Sequence, residues 1–273
     1  MIFRFFTSIL LKALILIIGT KRAKTILWNL LDKIFRKTYI IGGEGEDICW
    51  LQFKSFLKSP TIIDVGANIG KASERFLKIF PNSRIYSIEP IPDFFKLIDD
   101  KRIESKHNLA LSNKKKAIKI YRSGLGAKAA YKKTINKKHE IYNINAISGD
   151  QFVKENQIKK VNIIKIDTDG FDLEVIQGFL KVIKKDRPII QFELSRWWLL
   201  MGFTLKQAED LFIELNYNLF SMTDNGLETL KIPIPDSLFV TKNILAFPKE
   251  ITPDKLNAEV EDNFEGNLVF KNK

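Results

Sequence analysis

Cysteine is almost missing from this 273-residue chain. Cys49 is the single one, so no intrachain disulfide can form. That usage suits a reducing compartment. An uninterrupted membrane-spanning run is missing as well. Residues 2–18 are mostly apolar, but Arg4 and Lys12 interrupt them. A spanning helix needs roughly 20 apolar residues with few charges. No Ala-x-Ala-like site accompanies the stretch, which argues against a cleaved leader. No internal repeat is visible. Acidic residues are absent from 105–139, which carries eleven Lys and Arg. A base-composition bias toward Lys explains abundant lysine, but not 35 consecutive positions without an acid.

What is present is an ordinary globular mixture, 45% hydrophobic and 28% charged, long enough for one sizeable α/β domain plus an appendage. The net charge of +12 is uneven. Residues 1–40 contribute +7 and 105–139 contribute +11, and the remainder is slightly acidic. After residues 2–18 comes an amphipathic pattern of Ile26, Leu27, Leu30, Leu31, Ile34 and Phe35, with Lys24, Asp32, Lys33, Arg36 and Lys37 off that face. An apolar face with a basic flank suits a helix lying in an anionic membrane interface. The competing reading packs these helices on the main domain. The glycine-rich break Ile40–Glu46 ends the arm. The expected organisation is a helical arm over 1–42, a main domain over 43–250 and a weakly patterned tail over 251–273. The expected location is the cytoplasm, with the arm as a peripheral contact to the inner membrane face.

The chain is organised around Thr61–Gly70: an apolar run, Asp64, then a small-residue loop from Gly66 through Asn68 to Gly70, then a helical segment from Lys71. An apolar run bounded by turn residues predicts a buried parallel strand. The loop glycines let a ligand lie against the main chain, and the helix presents its positive end. A second strand, Arg84–Ile88, runs into Glu89, 19 residues after Gly70. An acid at that distance is placed to take both hydroxyls of a ribose. The loop lacks the Gly-x-Gly-x-x-Gly spacing of dinucleotide sites. A ligand with ribose and adenine but no phosphates, such as S-adenosylmethionine, is therefore favoured.

Further strands are expected at Lys106–Ser112, Ala117–Arg122, Val161–Asp167, Pro188–Glu193, Tyr217–Met222 and Leu238–Phe247, with helices at 48–57, 92–99, 173–180 and 205–215. Alternating strands and helices predict a doubly wound, mostly parallel sheet. Asp167, Asp169 and Asp172 follow one buried strand, and Glu193 ends another at the same edge. Carboxylates there cost desolvation energy unless they bind something.

Four stretches, Ile63–Gly70, Ser87–Pro90, Asn108–Ser112 and Lys165–Gly178, in this order and spacing, resemble the FkbM family of S-adenosylmethionine-dependent methyltransferases. The resemblance covers about half the chain. It implies a seven-stranded class I methyltransferase sheet and O-methylation, often of sugars or natural products. Where the family more often shows Asp-Val-Glu-Gly-x-Glu, this chain has Asp167-Thr168-Asp169-Gly170-Phe171-Asp172, with two carboxylates one methylene shorter.

The expected cofactor site comprises Asp64, Gly66, Asn68, Gly70, Glu89, Asn108 and Ala110, with Asp64 hydrogen-bonded to the loop backbone. Asp167 is expected near the reacting methyl, and Asp169, Asp172 and Glu193 are base or acceptor-binding candidates. His139 is a candidate base because imidazole titrates near neutrality, although a bystander role suits it better. No metal is expected. The expected acceptor is a hydroxyl of a sugar or glycoconjugate, an acidic one if lysines of 105–139 hold it. A glycosyltransferase reading of Asp167-Thr168-Asp169 as a metal-binding Asp-x-Asp leaves Gly66–Gly70 unexplained. RNA is disfavoured, because only Tyr121 and Tyr131 accompany the basic block. A membrane-tethered, non-catalytic binding module is the remaining alternative.

Overall fold

The computed structural model describes residues 44–99, 101–123, 126–128, 140–195, 198, 201–223, 226–230 and 242–251. The expectations for the arm, for His139 and for the tail beyond Ile251 lie outside the described residues. No described helix is long and apolar enough to cross a membrane.

Strand β1 (Thr61–Val65) is buried along its whole length, as expected of an apolar run at the centre of a parallel sheet. It pairs in parallel with β2 (Arg84–Ile88) on one side and β8 (Ile163–Ile166) on the other. β2 continues in parallel to β3 (Ser105–His107), and β8 to β9 (Ile189–Leu194). Beyond β9 the sheet turns antiparallel through β12 (Lys242–Pro248), β10 (Tyr217–Thr223) and β11 (Gly226–Thr229). The order is β11-β10-β12-β9-β8-β1-β2-β3. Eight strands stand where seven were expected, because the chain after β10 turns back through the short hairpin partner β11.

Period-two alternation sends neighbouring side chains to opposite faces. Ile63, Ile164 and Ile190 join one apolar layer with Phe152, Phe179 and Phe212. Ile62, Ile163 and Ile189 join another with Trp50, Phe76 and Phe80. Helices α1 (Glu44–Leu51) and α2 (Lys71–Ile79) supply the second layer. Helices α4 (Gly149–Glu155), α5 (Asp172–Gly178), α6 (Leu180–Asp186) and α7 (Leu205–Glu214) supply the first. Helix α3 (Pro92–Phe95) is a single turn rather than the longer helix expected to Asp99. Helix α1 begins at Glu44, inside the glycine-rich break, where Glu46 and Asp47 complement its dipole.

The segment read as one strand over 106–112 is two. After β3 the Asn108 amide donates to the carbonyls of Glu89 (2.9 Å) and Pro90 (3.0 Å), which draws the chain out of the main sheet. Ala110–Ser112 then forms β4 of a second sheet, ordered β4-β7-β5-β6. β5 (Lys116–Ser123) and β6 (Gly126–Lys128) form a hairpin, and β7 is Glu140–Ser148.

Candidate active site

One cleft opens at the carboxyl ends of β1, β2 and β8. It is lined by Gly66 and Asn68 from the β1 loop, by Glu89 and Pro90 after β2, and by Asp167, Thr168, Asp169 and Phe171 after β8. Phe94 of α3 and Leu109 before β4, with Ala110, Leu111, Ile118 and Ile120 of the second sheet, supply an apolar slot. Ile118 and Ile120 share a face because β5 alternates.

The β1 loop is drawn tight. Gly66 and Ala67 both donate to the Ile88 carbonyl, at 2.9 and 3.0 Å. Gly66 has φ +78°, and a Cβ there would lie 1.9 Å from the main-chain oxygen of Asp167. Only glycine lets the end of β1 cross the end of β8 so closely. Glu89 binds the loop from below: Oε2 accepts the Asn68 N–H and Oε1 the Ile91 N–H, each at 2.8 Å. The carboxyl is 4% exposed, and burial pushes its pKa up despite those two bonds. Each oxygen keeps a free lone-pair site.

Several expected site residues sit elsewhere. Asp64 is fully buried beneath the loop and does not line the cleft. Its Oδ2 accepts from Ser73 Oγ at 2.6 Å, and Oδ1 lies 3.4 Å from Lys165 Nζ, so it contacts side chains rather than the loop backbone. Alternation accounts for this, because Asp64 points to the face of Ser73 on α2. Gly70 starts α2 at φ +85° and is not a lining residue. Asn108 is occupied with the turn after β2 and leaves the lining to Leu109 and Ala110. Asp172 is fully buried behind the wall, where it accepts from Thr168 Oγ1 (3.0 Å), Gly170 N (3.3 Å) and Glu193 N (3.1 Å). Glu193 is not among the lining residues either.

Other lining residues were not anticipated. Glu174 of α5 lines the cleft and is hydrogen-bonded by Ser112 Oγ and Lys116 Nζ. On a helix face it was indistinguishable from a solvated acid. Lys165, which does not line the cleft, carries a signal, because it is an ionisable residue inside the apolar run Ile163–Ile166.

The carboxylates behind the wall are electrostatically strained. Burial, then Asp167, Asp172 and Asp169, pushes Glu193 up to about 8. Burial, then Asp167, pushes Asp172 up to about 7. Between the ordinary carboxyl range and these values the folded chain holds more protons than the unfolded chain. Their stabilising contribution is therefore full below about pH 4 and is lost as pH rises through 7 to 8. Replacing Glu193 with Gln is expected to reduce the drop in Tm between pH 6 and pH 8. Thermal unfolding of both proteins at the two pH values checks this.

A twisted sheet with a parallel centre, a glycine loop after β1 and an acid after β2 in the same cleft define a class I methyltransferase. The residues fit an adenosyl ligand, with a buried carboxylate holding free acceptor sites beside an apolar slot. The model of the methyltransferase FkbM domain matches residues 64–219. The chain belongs to the FkbM family of S-adenosylmethionine-dependent methyltransferases. It is 24% identical over 150 residues to the hexuronic acid methyltransferase AglP of Haloferax volcanii, across 53% of this chain and 60% of that protein. The chain thus spans less than two thirds of that relative. Among solved structures, the methyltransferase FkbM of Methylobacillus flagellatus aligns with a TM-score of 0.46 and 13% identity, over 70% of this chain and 44% of that one. The O-methyltransferase of Bacillus cereus in complex with SAH aligns with a TM-score of 0.46 and 11% identity, over 76% and 82%. Family membership replaces the glycosyltransferase reading.

Proposed function

We propose that the protein transfers the methyl group of S-adenosylmethionine to a hydroxyl of an acidic sugar or glycoconjugate. The observation that carries this is that Glu89, Gly66 and Asp169 line one cleft, so donor-binding and proton-accepting groups share it. Bound S-adenosylmethionine supplies a methyl on a sulfonium, a good leaving group, so alignment is the enzyme's main task, worth about 7–11 kcal/mol. Glu89 takes the ribose hydroxyls on its free lone pairs. Phe94, Leu109 and Leu111 flank the purine and exclude water. Asp169 receives the proton of the acceptor hydroxyl, since it lines the cleft whereas Asp172 and Glu193 do not. Thr168 and Asp169 together offer the acceptor and donor atoms that a polyhydroxylated substrate needs. A relative named for hexuronic acid supports a uronate, and so does the acid-free block 105–139, which supplies Leu109, Ala110, Leu111, Ile118 and Ile120 to the cleft lining.

The test is incubation with methyl-labelled donor and two glycans, one rich in uronic acid and one neutral. Label on a hydroxyl oxygen of the uronic glycan is expected. Its absence there, with label on the neutral glycan alone, overturns the acidic acceptor. Asp169→Asn is expected to lower kcat by about 10²–10⁴-fold while donor affinity is retained, as for loss of a general base.

A further inference from the structure

A polar row crosses the otherwise apolar centre of the main sheet. Ser87, Asp64, Lys165 and Gln191 are register neighbours on β2, β1, β8 and β9, and all are buried. Each is paired. Ser87 Oγ lies 2.8 Å from Ser73 Oγ, which donates to Asp64. Gln191 Oε1 accepts from Trp50 Nε1 at 2.8 Å. Lys165 Nζ lies 3.4 Å from Asp64 Oδ1 and 3.4 Å from Asp167 Oδ2. Glu46, itself bound by Arg75 at 2.9 Å, adds a further negative charge to this region.

A lysine buried in a sheet costs several kcal/mol unless its charge is used. Burial alone would push this ammonium down; Asp64, Asp167 and Glu46 together push it above the usual lysine range. Asp64 alone would suffice to neutralise it. The second contact differs in kind, because the Asp167 side chain is 53% exposed and lines the cleft beside Gly66. Lys165 is the next-to-last residue of β8 and Asp167 follows the strand's end, so the chain leaves the buried ammonium 3.4 Å from that carboxylate. The fixed cation limits where an otherwise mobile, half-solvated side chain can go.

We propose that Lys165 is a positioning residue: it holds the Asp167 carboxylate at the β1–β8 crossing, where that carboxylate receives the α-ammonium of the cofactor's methionine part. This rests on the cleft being the donor site. The glycine loop and Glu89 then account for the nucleoside half of the cofactor, and the Lys165–Asp167 pair accounts for its amino-acid half.

The two halves can be separated by ligand. S-adenosylhomocysteine carries the ammonium; 5′-methylthioadenosine keeps the nucleoside and lacks the amino acid. Calorimetric titration of the full chain with both is the experiment. Wild type should bind the first at least tenfold more tightly. Asp167→Asn, an exposed change that leaves the core intact, should collapse that ratio by lowering affinity for S-adenosylhomocysteine alone. Lys165→Met should do the same. If Lys165→Met does not fold, Lys165→Met combined with Asp64→Asn removes the buried charges together and reads the same ratio. In the Lys165→Met background Asp167→Asn should have little further effect, because the two act as one unit. Equal weakening of both ligands by the Lys165 variants would make the lysine merely structural and overturn the inference. So would an unchanged ratio in Asp167→Asn. Wild type that binds neither ligand would instead overturn the donor-site reading itself.

Discussion

Gly66→Ala is expected to unfold the protein or leave it unable to bind S-adenosylhomocysteine, with a loss of about 4 kcal/mol or more in stability. Two costs combine. The residue has φ +78°, where a Cβ carries a penalty of about 1–2 kcal/mol. The larger cost is collision: the new Cβ would sit 1.9 Å from the Asp167 main-chain oxygen and 2.9 Å from its carbonyl carbon. Neither atom can move independently. Asp167 N donates to Val65 O at 3.0 Å, and Gly66 N to Ile88 O at 2.9 Å, so relief means separating the ends of β1, β2 and β8. Gly202→Ala is the matched control. It has φ +84° but nothing within 4 Å of the added carbon, so it carries the backbone penalty without the collision. Chemical denaturation of the two variants beside wild type separates the terms. A Gly66→Ala protein no less stable than Gly202→Ala would refute the close crossing of β1 and β8.

How much of this was legible in the sequence depends on where each residue's partners lie. β1, β2, β8 and β9 were readable because strands buried on both faces leave continuous apolar runs such as Thr61–Val65 and Ile163–Ile166. Glu89 was readable because its distance from the loop is a property of the βαβ unit. The second sheet was not. β7, Glu140–Ser148, interleaves Ile141, Tyr142 and Ile144 with Asn143 and Asn145, and its burial alternates only weakly. The break between β3 and β4 was hidden for a similar reason. It is made by Asn108 reaching the carbonyls of Glu89 and Pro90, a contact no local pattern records. Asp64 was placed with the ligand because the motif around it is a ligand motif. Strand alternation instead turns it toward Ser73 and Lys165. The contacts of Lys165 with Asp64 and of Glu174 with Ser112 and Lys116 are made across strands and helices, and a linear reading does not carry them.

Glu89→Ala is expected to weaken S-adenosylhomocysteine binding by about 10–100-fold, on the scale of 1.5–3 kcal/mol for hydrogen bonds to a charged group. The carboxylate works on two levels. Directly, under the proposed function its free lone pairs accept the ribose hydroxyls, and among the described lining residues no other carboxylate extends from the β2 end. Indirectly, it fixes the loop that the ligand lies against, since Oε2 holds the Asn68 N–H and Oε1 the Ile91 N–H. Asn68 has φ +51°, a conformation that needs such support. The two levels predict different outcomes in Glu89→Gln. A glutamine oxygen can still accept one N–H, but its amide nitrogen faces the other donor, so half of the loop support and the charge are lost together. Calorimetry should therefore rank affinity as wild type, then Glu89→Gln, then Glu89→Ala. Circular dichroism should show all three folded, because the β1–β2 pairing is made by main-chain bonds that neither substitution touches. Unchanged affinity in Glu89→Ala would mean that the adenosine does not lie against β2. The apolar slot formed by Phe94, Leu109 and Leu111 would then have to hold something other than the donor's purine.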